Sequence, residues 1–182
     1  MKRSKSLKLA LMGASALTLA ACENQEDVAI FESVEQCVSH DGFGMEDCTA
    51  NMQKAQAEHV RVAPKYTSAA DCEADFGAAQ CETAPQKTQS GGSVFMPLMM
   101  GYMMGNMLSG RSRVGAQPLY RSRDDPKNFR TGDNQKVSGK TGVSRVGSQV
   151  ARAPTTKTST IRRGGFGSTA RATTSRFRSF GG

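Results

Sequence analysis

The sequence predicts a small, mainly α domain stabilised by disulfides and built on a tandem repeat, then a short Met/Gly-rich apolar helix and a long disordered basic C-terminal region. Three observations lead there. Four cysteines sit in two similar stretches, six of the fifteen residues from Val94 to Leu108 are methionine, and the chain beyond Ser109 is rich in Gly, Ser, Thr, Arg and Lys. With few large apolar residues and no sustained periodicity, that last stretch reads as unable to bury a core.

The chain opens with Lys2, Arg3, Lys5 and Lys8 before an apolar run from Leu9 to Ala21. The run is short of the about 20 residues a membrane helix needs, and suits the apolar part of a secretory signal. Leu19-Ala20-Ala21-Cys22 then resembles the lipobox of bacterial lipoproteins, in which the thiol takes a diacylglyceryl group, the signal is cut before the cysteine and the new amine is acylated. Residues 1–21 are expected to be a lipoprotein signal peptide, Cys22 the lipidated first residue and 22–32 a tether. At about 0.8 kcal/mol per buried methylene, two or more acyl chains anchor stably. Glu23 stands where an aspartate would resemble the inner-membrane class, so the expected location is the periplasmic face of the outer membrane.

Residues 33–90 hold Cys37, Cys48, Cys72 and Cys81, an even set that an oxidising compartment makes structural by default. Ser33-Val-Glu-Gln36-Cys37 is matched by Ser68-Ala-Ala-Asp71-Cys72, and Phe43-Gly44-x-x-x-Cys48 by Phe76-Gly77-x-x-x-Cys81. Four cysteines allow three pairings. Pairing inside each copy, Cys37 to Cys48 and Cys72 to Cys81, is the simplest if both copies fold alike. Ser33 and Ser68 read as helix caps, and the glycine of each Phe-Gly pair as a helix stop. Met45 to Val62 is the best ordinary helix, with Cys48, Met52, Ala55, His59 and Val62 at three- and four-residue steps and Pro64 beyond its end.

Residues 91–110 contain the apolar island. On a helical wheel its methionines form one stripe, while Gly101 and Gly105 lie opposite with Val94 and Leu98. The island is too short to span a membrane. The glycine face, with Leu98, Gly101 and Gly105, is expected to dock an envelope protein or a second copy. The alternative is periplasmic Cu(I) handling by the soft thioethers of Met99, Met103 and Met107.

Residues 111–182 are expected to be a disordered basic tail, with Pro118-Leu119-Tyr120 the one candidate for order and a weak hairpin at most around Val143-Ser-Arg-Val146. Cys22 to Ser90 carries net −9 and Gly91 to Gly182 net +13. Such attraction fades beyond about 8–10 Å and is not expected to fold the tail. A basic tail beyond the inner membrane meets anionic lipid or lipopolysaccharide rather than nucleic acid. His40 and His59 are the only histidines, and neither a Cys/His pair nor a carboxylate pair suggests catalysis. A non-enzymatic interaction or scaffolding role without a cofactor is therefore expected.

An ordered set of segments carries a family resemblance. Ala63-Pro64-Lys65-Tyr66, Asp71-Cys72-Glu73-Ala74-Asp75-Phe76-Gly77, Gln80-Cys81, Phe95-Met96-Pro97-Leu98-Met99, Gly101-Tyr102-Met103-Met104-Gly105, Gln117-Pro118-Leu119-Tyr120 and Arg163-Gly164-Gly165-Phe166-Gly167 together resemble the YgiB-type family of bacterial envelope proteins. The resemblance implies an often lipoprotein-like protein of unknown function, encoded beside an ATP-grasp ligase resembling glutathionylspermidine synthase. It transfers no catalytic residue.

Overall fold

The computed structural model describes residues 24–105, 114–168 and 170. Along the chain come β1 (Gln25–Phe31), α1 (Val34–Val38), α2 (Met45–Val62), α3 (Ala69–Phe76), β2 (Cys81–Lys87), β3 (Ser93–Pro97), β4 (Gly101–Gly105), β5 (Gln117–Ser122), β6 (Asp125–Arg130), β7 (Gly142–Gly147) and α4 (Ser148–Ala151). Five strands form an antiparallel sheet in the order β6-β5-β4-β1-β7, curled into a half barrel, and β2 pairs with β3 in a second small sheet. The protein is thus mainly β, and the mainly helical expectation is overturned.

The apolar island shows why. It is not a helix but two strands in different sheets, β3 beside β2 and β4 between β1 and β5. All five residues of β4 are buried, with Tyr102 and Met104 in the cluster that also holds Phe31 and Ala55, and Met103 on the other face with Val28, Ile30 and Leu119. A strand covered on both faces shows a continuous apolar run, which periodicity alone does not separate from a buried helix. β1 has the same property, its Val28, Ala29, Ile30 and Phe31 being at most 1% exposed. The expected tether at 22–32 is therefore a central strand from Gln25 onward.

The expected disordered tail is also corrected over the described residues. Leu119 and Tyr120 of β5 and Phe129 of β6 are fully buried, and Val146 of β7 is 5% exposed. Arg121–Glu32 and Arg145–Asp27 ion pairs cross between the basic and acidic halves. Both are partly solvated and worth little. Strand pairing and apolar burial, not charge, hold this segment. Val143–Val146 pairs with β1 rather than forming a local hairpin.

The helices follow their local signals. Oγ of Ser33 accepts from the Gln36 N–H and Oγ of Ser68 from the Asp71 N–H. α2 begins after Gly44, carries Glu46 and Asp47 in its first turn and Arg61 in its last, and so complements its dipole at both ends. Lys65 Nζ donates to the Val60 carbonyl at 3.0 Å and the Ala63 carbonyl at 3.5 Å, satisfying the helix terminus. Disulfides join Cys37 to Cys48 and Cys72 to Cys81. The two copies nevertheless diverge after Phe-Gly, since Gly77 ends α3 at φ +107° and leads into β2, whereas Gly44 starts α2.

Candidate functional site

The best-built polar site in the described residues centres on Asp75, in the last turn of α3 and 8% exposed. Its Oδ2 accepts from Tyr66 Oη at 2.8 Å and from the N–H groups of Gly165 and Phe166, both at 3.2 Å. Oδ1 accepts from the Gly164 N–H at 2.6 Å. Three consecutive amides converging on one carboxylate form an anion nest, here filled by the protein's own side chain. Burial, then the neighbouring charge and hydrogen bond of Asp75, push the Tyr66 hydroxyl far above its ordinary pKa, so it stays a donor.

The same turn is fixed on its other side. Phe166 packs 4.8 Å from Phe76 and 6.2 Å from Tyr120 between ring centroids. The Gly167 N–H donates to Asn134 Oδ1 at 3.0 Å, and Asn134 Nδ2 donates to the Gly167 carbonyl at 2.9 Å. Gly167 has φ +86°, and a Cβ there would lie 2.3 Å from Asp124 Oδ1. Only glycine fits. The Arg-Gly-Gly-Phe-Gly run is therefore a latch, and its glycines let backbone amides approach a carboxylate closely.

Beside the latch lie two shallow recesses that share Arg123. One, of about 290 Å³, is bounded by Ala74, Asp75, Asp124 and Phe166, and the other, of about 270 Å³, by Phe76, Gln80, Met100 and Arg121 among others. Arg123 is exposed, and its backbone N–H donates to the Asp75 carbonyl at 2.7 Å. The Arg121 guanidinium lies 4.1 Å over the Phe129 ring. Two cations thus stand on one wall, Arg123 exposed and Arg121 partly buried with Glu32 2.8 Å away, an arrangement that can meet anionic groups.

A second polar chain is internal. His59 Nε2 lies 3.0 Å from Glu82 Oε1 and Nδ1 lies 2.9 Å from Tyr120 Oη. A carboxylate only accepts, so Nε2 carries the proton and Nδ1 accepts from the tyrosine. Burial lowers the His59 pKa, outweighing the opposing pull of Glu82. Tyr120 is fully buried. In this conformation the pair is a core hydrogen-bond network.

The residues singled out by the sequence are scattered. Gly101 packs against the backbone, where a Cβ would lie 2.8 Å from the Phe31 carbonyl oxygen, and Gly105 pairs with Val28. Leu98, half-buried, donates its N–H to the Gln80 carbonyl. No shared docking helix exists to present these three. Met103 is buried with Leu119 and Phe129, whereas Met99 packs on the cluster of Phe31 and Tyr102. Cys22 and Met107 lie outside the described residues. Among the described residues no group of three or more His, Cys, Asp or Glu side chains could hold a metal ion, and no helix is long and apolar enough to cross a membrane.

Sequence reasoning missed Tyr66, Asp75, Asp124 and Asn134 as a site. A signal was present, because Tyr66, Asp75 and Gly164 to Phe166 all fall within segments that carry the family resemblance, and these segments meet at one carboxylate. Residues 25–176 match the family model described as protein of unknown function DUF1190. The chain belongs to this family. A UPF0441 protein of Erwinia tasmaniensis is 38% identical over 87% of this chain and 78% of its own length, and one of Serratia proteamaculans is 36% identical over 94% and 84%. A UPF0441 protein of Pectobacterium atrosepticum is 36% identical over 88% and 79%. No solved structure matches. The family relation and the YgiB-type resemblance coincide.

Proposed function

We propose that this family member is an outer-membrane lipoprotein of the periplasmic face, anchored through Cys22, with a non-enzymatic interaction or scaffolding role. The observation that carries the binding part is the folding of the basic segment: β5 and the latch fix Arg121 and Arg123 on one wall of the protein. A rigid cationic wall binds anions without the ordering cost that a flexible tail would incur. Only Glu23 and Asn24 separate Cys22 from β1, which would hold the folded domain close to a lipid surface. The favoured partners are anionic lipid headgroups, lipopolysaccharide phosphates included. The two disulfides fit an oxidising compartment.

Membrane fractionation with co-sedimentation on anionic vesicles tests this reading. Cys22→Ala should move the chain out of the outer-membrane fraction, and Arg121→Glu with Arg123→Glu should lower vesicle binding by the folded protein. Retention of the Cys22→Ala chain in that fraction would overturn the anchor. Unchanged, salt-insensitive vesicle binding would overturn the anionic partner.

A further inference from the structure

We infer that two copies of this chain associate through the free edge of β7, merging their half barrels into one continuous antiparallel sheet. The inference concerns the folded domain and does not depend on the lipid anchor.

β7 ends the strand order beside β1. Its register pairs Gly142 with Ile30, Ser144 with Val28 and Val146 with Glu26. The Ser148 N–H donates to the Asn24 carbonyl at 2.9 Å. Hydrogen-bonded and non-bonded pairs alternate in an antiparallel ladder, so Gly142, Ser144 and Val146 turn their backbone groups toward β1. Val143, Arg145 and Gly147 turn theirs outward, where no described residue meets them. The opposite edge is treated differently: the Val137 N–H donates to the Phe129 carbonyl and the Phe129 N–H to that of Ser138, so the chain after β6 folds back over it.

Edges left open are ordinarily blunted by Lys, Pro or a bulge. β7 has none of these, and it carries Val143, 44% exposed and one of two large hydrophobic residues exposed in the described structure. Beside Val143, between β7 and α1, is a cavity of about 340 Å³ lined by Phe31, Gln36, Ser39, His40 and Thr141.

Symmetry and charge select a second copy as the occupant. An antiparallel strand pair about a two-fold axis uses the same groups from both sides. A two-fold through Ser144 sets Val143 opposite the second copy's Arg145, with five residues of each β7 in register. A two-fold through Arg145 would instead place like charges opposite each other, which is unfavourable. In the chosen register each arginine reaches toward the cavity beside the other copy's Val143. One wall of that cavity comes from the acidic half, where exposed Glu35 and Asp41 flank Gln36 and His40 in the chain; the other wall, Thr141 to Val143, follows exposed Lys140. Arg145 is available, because its side chain is 75% exposed and its contact to Asp27 is a solvated pair.

Ser144→Cys tests the register directly. In this arrangement the two positions form a non-hydrogen-bonded pair about 4.5 Å apart at Cα, a distance a disulfide can bridge. The full chain is expressed in cells, mildly oxidised and run without reductant. A dimer that disappears on reduction is expected from Ser144→Cys but not from Lys127→Cys at the opposite, covered edge, and adding Val143→Lys should abolish it. Val143 is exposed and neither it nor Ser144 belongs to a hydrophobic core cluster, so the variants should accumulate normally. Equal dimer from Ser144→Cys and Lys127→Cys, or dimer that survives Val143→Lys, would overturn the inference.

Discussion

Asp75→Ala should detach the latch and cost the protein much of its stability. Asp75 accepts four hydrogen bonds, three from backbone amides and one from Tyr66. A bond to a charged acceptor is worth about 1.5–3 kcal/mol net, and a buried donor left alone costs about 1–3 kcal/mol. Gly164 can turn to water, but Tyr66 is fully buried and Phe166 is 3% exposed, so their two donors have no replacement. Counting those two fully and the others weakly gives about 4 kcal/mol. For a domain of this size that lowers Tm by roughly 8–16 °C. Asp75→Asn keeps one oxygen for Tyr66, Gly165 and Phe166 but sets an NH₂ against the Gly164 N–H, and should cost about half as much. Urea denaturation gives the energies, and limited trypsinolysis at Arg162 and Arg163 reports the latch. A cost below about 1 kcal/mol for Asp75→Ala, with cleavage no faster than in the parent, would refute the reasoning.

Two further outcomes follow from buried polar groups. His59 has a folded pKa below its ordinary value, so the unfolded chain takes up a proton that the folded chain resists. Stability should be full above the ordinary histidine pKa and fall as pH drops from about 7 toward 5, and His59→Gln should flatten that slope in urea titrations at several pH values. An unchanged slope would assign the pH dependence elsewhere. Gln117 is 2% exposed and among the described residues neither its Oε1 nor its Nε2 has a partner, so Gln117→Met should stabilise by about 1–3 kcal/mol. Loss of stability by that substitution would mean the amide is satisfied after all.

What the sequence disclosed and what it concealed divide along physical lines. α2 is amphipathic, runs for eighteen residues and is bounded by Gly44 and Pro64, so its bounds can be read locally. Ser33 and Ser68 mark helix starts by chemistry confined to three residues. β4 and β1 carry no such local mark, because burial on both faces erases the alternation that would announce a strand. β5 to β7 are short and hold Pro118, Arg121 and Arg145, and their order comes from partners far along the chain. Composition misled most at Arg163 to Gly167. There glycine was read as freedom, whereas Gly164 at φ +79° and Gly167 at φ +86° are held in the latch.

The place of β1 inside the sheet has a consequence for how the chain comes to fold. β1 is made early, yet its two neighbours are β4 and β7, and β7 is the last strand among the described residues. Until Gly142–Gly147 is available, Val28 to Phe31 must wait with one ladder unfilled. Pairings this distant in sequence make folding slow and leave apolar strand edges open to the wrong partners. The disulfide loops need no such wait, since each closes within a dozen residues. Oxidation can therefore run ahead of the sheet, and the interval between the two is when the young protein is most in need of protection.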